Sequence, residues 1–105
     1  MKKYYKLVRD LIPQIIEKDG KVCEYEIVEK ERHYELLEEK LKEETNEFLE
    51  DKNLEELADI MEVLFALAEN LGYTEEELLN KRAEKKLKRG GFKEGIVLKS
   101  VSSKK

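Results

Sequence analysis

Between Tyr34 and Phe48, the residues Tyr34, Leu37, Leu41 and Phe48 fall at the three- and four-residue steps that place side chains on one helix face. That spacing predicts a helix from about Lys30 to about Glu50. A second apolar pattern runs from Leu54 to Leu71 and covers much of a helix circumference, through Leu57, Ile60, Met61, Val63, Leu64, Phe65, Leu67 and Ala68. Only Asp51-Lys52-Asn53 separates the two, and so short a connection makes them antiparallel neighbours. Gly72 stops the second helix. Thr74, with Glu77 three residues on, has the spacing of a capping box and opens a further helix ending near Arg89, before Gly90-Gly91.

Towards the start of the chain, Asp10 is placed to cap a short helix with Pro13 in its first turn. Its Leu11, Ile12, Ile15 and Ile16 are expected to face the core, and Asp19-Gly20 ends it. Residues 21–28 alternate well enough to predict a short strand, which Ile96-Val97-Leu98 would pair with. The expected fold is all-α: an antiparallel helical hairpin with flanking helices and at most a small β-ribbon. Residues 1–99 would form a single domain, and residues 100–105 a disordered tail.

Two acids break the hydrophobic pattern. The missing apolar member of the Tyr34–Phe48 stripe is position 44, a glutamate, and Asp59 lies between apolar neighbours in Leu57-Ala58-Asp59-Ile60-Met61. A carboxylate on a core-facing stripe is costly unless it is paired, hydrogen-bonded or bound to a cation. Glu44 and Glu47 are three residues apart, as are Glu56 and Asp59, so each pair shares a face. In the predicted hairpin both pairs lie near the turn and oppose each other. Four converging carboxylates are hard oxygen ligands suited to Mg²⁺ or Mn²⁺, and no Glu-x-x-His pair is present to favour a di-iron site.

Other roles fit some of these residues. Glu56 follows Asn53 by three, as a capping box does; Glu43 and Glu62 suit a solvated helix face, as do Lys81, Arg82, Lys85 and Arg89. His33 reads as a surface or capping residue, since nothing pairs it with a nucleophile.

Composition narrows the class. With 105 residues the chain is one small domain, and its 44% charged residues require a largely solvated helical surface. The single Cys23 forms neither a disulfide nor a thiolate metal site. Met-Lys-Lys resembles the start of a signal segment, but no apolar run follows and no stretch is long enough to span a membrane. A cytoplasmic protein without membrane or nucleic-acid partners is expected. Residues 1–80 hold 11 Lys/Arg against 23 Asp/Glu, and residues 81–105 hold 10 against 2, so an acidic body precedes a basic end. The excess of apolar surface on the second long helix predicts a homodimer or higher homo-oligomer.

The run Glu43-Glu44-x-x-Glu47 followed by Glu56-x-x-Asp59 resembles the signature of the all-α nucleoside triphosphate pyrophosphohydrolases. That superfamily includes MazG-like enzymes and phosphoribosyl-ATP pyrophosphohydrolases. Lys6-Leu7-Val8-Arg9-Asp10-Leu11-Ile12-Pro13 and Arg89-Gly90-Gly91-Phe92 are similar to the opening and closing segments of a small MazG-like branch. The eight residues between Glu47 and Glu56 are fewer than in many relatives.

The resemblance implies cleavage of a nucleotide substrate between its α- and β-phosphates, giving the monophosphate and pyrophosphate. It further implies that Glu44, Glu47, Glu56 and Asp59 ligate Mg²⁺, with Mn²⁺ as a substitute, and that Glu43, a catalytic candidate with Glu44, either supports the ligands from behind or helps orient the attacking water. Arg9, Lys85 and Arg89 would neutralise the phosphates. Phosphoribosyl-ATP hydrolysis is the alternative enzyme activity, and a non-catalytic helical interaction module the alternative outside enzymes.

Overall fold

The computed structural model describes residues 5–103. The Met-Lys-Lys start and the last two residues of the expected tail lie outside the described residues. Four helices follow one another: α1 (Ile12–Lys18), α2 (Lys30–Asp51), α3 (Leu54–Asn70) and α4 (Glu75–Arg89). The class is all-α.

Local chemistry sets the helix ends. The Glu29 carboxylate accepts from the Glu31 and Arg32 amides and opens α2. Asn53 accepts from the Glu56 amide and opens α3, so Glu56 lies in a capped first turn. Thr74 and Glu77 make both halves of a capping box at α4. Acids fill the first turn of α4 and Lys86, Lys88 and Arg89 its last, which matches the helix dipole at both ends. Gly72 reverses the chain after α3 at φ +97°, a region closed to most side chains.

The hairpin of α2 and α3 carries the core. Lys52 and Asn53 alone link the helices, with Lys52 in the left-handed region at φ 51°. At the open end Asn70 donates to the Lys30 carbonyl at 3.3 Å, which fixes the antiparallel sense. Among the described residues the buried apolar ones are Leu36 and Leu37 from α2 and Val63 and Ala68 from α3, with Leu37 only 2% exposed. α4 packs against α3 without burying a residue.

Three expectations fail. Asp10 does not cap α1: Leu11 holds the N-cap position and no side chain bonds there. Leu11 and Ile15 are exposed rather than core-facing, and the α1 backbone stays clear of the other helices. Seven residues are too few to sustain a helix by propensity alone, and α1 buries none of them. The two expected strands are also absent among the described residues. Residues 21–28 and 96–98 form no ladder, and a strand without an adjacent edge leaves its amides and carbonyls to water.

Candidate metal centre

The turn end of the hairpin collects the acids. Glu44 projects from α2, and Glu56 and Asp59 from α3; one carboxylate oxygen of each lies within 4.8 Å of the others. A second group meeting the same limit joins Glu43 and Glu47 to Glu44 along α2. Glu44 is common to both, and the helical spacing that set it on the apolar stripe also sinks it: it is 6% exposed, the one buried charged residue among those described. The five acids proposed from sequence therefore fall into two groups joined at Glu44. Glu62, a turn further along α3, is exposed and belongs to neither group.

The electrostatics are under-compensated. Glu44 Oε1 pairs with Lys40 Nζ at 3.3 Å, while Oε2 is buried without a hydrogen-bond partner. Glu56 Oε2 is in the same position, and among the described residues these are the only two such side-chain atoms. Burial raises the Glu44 carboxyl above its ordinary value of 4.5; Lys40 opposes this and the adjacent Glu47 reinforces it. The Glu56 carboxyl is likewise raised, first by burial and then by repulsion from Asp59. Two orphaned carboxylate oxygens among mutually repelling acids match the donor set of a hard divalent cation.

Three cations lean on this cluster, Lys40 from α2 itself and two from the segment before α1. Arg9 Nη2 meets Asp59 Oδ1 at 2.6 Å, across fifty positions of sequence. Lys6 Nζ lies 3.7 Å from Glu43, and Lys40 bridges to Glu43 at 3.5 Å. Arg9, expected on a phosphate, is thus a counter-ion of a candidate ligand. Lys85 and Arg89 are exposed on α4 and form no ion pair among the described residues. Lys40 was missed from sequence, although its three- and four-residue offsets to Glu43 and Glu44 are the spacing of helical ion pairs. Nothing local in the sequence ties Arg9 to Asp59.

Two surface depressions lie away from the Glu44 cluster. One is lined by Gly72, Tyr73 and Thr74, the other by Lys30, Tyr34 and Asn70 at the open end of the hairpin. No helix among the described residues is long and apolar enough to cross a membrane. No family model, no curated protein and no solved structure matches this chain.

Proposed function

We propose that this chain is a cytoplasmic, divalent-cation-dependent hydrolase that splits a nucleoside triphosphate into monophosphate and pyrophosphate, working as a homo-oligomer. The observation that carries the reading is the pair of buried, unpartnered oxygens on Glu44 and Glu56 within one group of acids. The order of the three MazG-like segments along the chain supports it.

Glu44, Glu47, Glu56 and Asp59 are the proposed holders of Mg²⁺ or Mn²⁺. Such a cation supplies charge neutralisation on the phosphates and acidifies a water. The residues of the chain do the rest. Glu43, at the rim and paired with Lys40 and Lys6, is the proposed acceptor that orients the attacking water. Arg9, paired with Asp59 at the edge of the cluster, is the proposed contact of a phosphate oxygen, to which guanidinium geometry is suited. Lys85 and Arg89 are the proposed partners of the leaving pyrophosphate.

A panel of nucleoside triphosphates, including modified bases and phosphoribosyl-ATP, assayed with Mg²⁺ for pyrophosphate tests this reading. Pyrophosphate and monophosphate in equal amounts are expected from at least one substrate. Orthophosphate instead would mean that a different bond is cut. No product from any nucleotide would favour the non-catalytic interaction module, for which the large exposed apolar surface of the chain also speaks.

A further inference from the structure

The segment before α1 crosses the turn end of the hairpin on two ion pairs, one to each helix. Lys6 Nζ lies 3.7 Å from Glu43 on α2, and Arg9 Nη2 lies 2.6 Å from Asp59 on α3. Three residues of extended chain reach about 10 Å, close to the distance between the axes of two packed helices. The spacing of the two cations therefore suits a crossing from one helix to the other. Residues 6–9 belong to no helix, and of the four only Leu7 is even half-buried, so the ion pairs carry much of the anchoring.

These cations differ in kind from Lys40. Lys40 sits one turn from Glu43 and Glu44 on the same helix and stays beside them whatever the flank does. Lys6 and Arg9 are carried by the flank and leave with it. The Arg9–Asp59 pair is short, but its side chains are 55% and 38% exposed, and an ion pair so open to water is weak.

Asp59 has a second claim on it. One oxygen of Asp59 lies within 4.8 Å of oxygens of Glu44 and Glu56. Glu44 is only 6% exposed, and its Oε2 is buried without a hydrogen-bond partner, so the group holds a donor atom that Arg9 does not serve. A divalent cation among these three acids would bring two charges and direct coordination, where Arg9 brings one charge to one oxygen. A guanidinium and a divalent cation on the same carboxylate repel each other, so each weakens the other's hold.

We propose that residues 6–9 are a strap across the acid cluster, in which Arg9 competes with a divalent cation for Asp59. Cation entry loosens the strap, and the strap weakens cation binding by the same factor, because linkage between two binding events is reciprocal. The inference rests on the cation site of the proposed function and adds the regulation of that site.

Titration of Mn²⁺ into the full chain, followed by the resonance of the free ion, tests it. Arg9→Gln should bind Mn²⁺ at least about 3-fold more tightly than wild type, and Arg9→Lys, which keeps the charge, should return towards wild type. Arg82→Gln removes the same charge from an exposed position on α4 and should change affinity less than Arg9→Gln does. On wild type alone, NMR with diamagnetic Mg²⁺ should show the amides of residues 6–9 and the Arg9 Nε–H moving towards the signals of a mobile chain as the ion saturates. Equal or weaker Mn²⁺ binding by Arg9→Gln overturns the strap and leaves the cation site standing. So does a gain matched by Arg82→Gln, which would assign it to net charge, or a segment that saturating Mg²⁺ leaves unchanged. No saturable Mn²⁺ binding by either wild type or Arg9→Gln removes the site itself, and the strap with it.

Discussion

The α2–α3 hairpin and the segments flanking it are made from similar apolar residues, yet they bury them very differently. Among the described residues every buried one belongs to the hairpin, whereas Val22, Ile27, Leu87, Phe92 and Ile96 are among the most exposed side chains. The hairpin helices run 22 and 17 residues, and a two-residue link aligns their stripes. α1 has seven residues, and α4 keeps its form through its capping box and end charges rather than by burial. Helical hydrogen bonds form within a segment, but burial and strand pairing need a second surface that the flanks lack.

That contrast is most easily broken in the hairpin. Leu37→Ala should destabilise the fold by about 2–5 kcal/mol in denaturant unfolding, because Leu37 is almost wholly enclosed. Leu87→Ala, at an exposed site on α4, should stay within about 0.5 kcal/mol. Equal effects would erase the distinction between core and flank.

A pH scan sharpens the comparison at the acid end of the hairpin. Glu44 and Glu56 have carboxyls raised above 4.5 in the folded state. Protonation therefore favours the fold: their share of stability is present below 4.5 and lost as pH rises through the raised values. In chelator, Tm should fall across that window. Glu44→Gln should flatten the fall, and Mg²⁺ should oppose it, since a cation needs the ionised carboxylates. A Glu44→Gln profile identical to wild type would remove Glu44 from the account.

Smaller effects are expected at the helix ends. Thr74→Ala removes the acceptor of the Glu77 amide and should cost about 1 kcal/mol, read as faster amide exchange in the first turn of α4. At the hairpin link, Lys52→Gly relieves the left-handed backbone while losing the Lys52–Leu49 side-chain bond. A net gain of less than about 1 kcal/mol should follow in thermal unfolding. A clear loss would mean that the side-chain bond outweighs the backbone strain.

The parts legible in the sequence are those set by local spacing. Helical periodicity located α2 and α3, and the short link gave their antiparallel sense. The same reasoning set Glu44 against Glu56 and Asp59, which the structure groups, while Glu47 joins Glu44 along α2. Asp10 failed as a cap because the turn places Leu11 at the helix boundary, one residue later than the side-chain preference implied. The strands failed because pairing depends on residues some seventy positions apart, which no local pattern encodes. The Arg9–Asp59 pair was hidden for the same reason. Lys40 was legible in its spacing to Glu44, but lysines at such offsets are common on charged helices.

The central claim is that the acids gathered around buried Glu44 hold a divalent cation that makes a phosphate attackable, and direct titration of Mn²⁺ followed by the resonance of the free ion tests it most closely. Wild type should bind Mn²⁺ with saturation and be competed by Mg²⁺. Glu44→Gln, which keeps the shape and removes the charge, should bind at least about 10-fold more weakly and turn over substrate about 100-fold or more slowly. Glu38→Gln, on an exposed face of α2, should match wild type in both. Equal Mn²⁺ affinity in wild type and Glu44→Gln, or no saturable binding in either, would contradict the account.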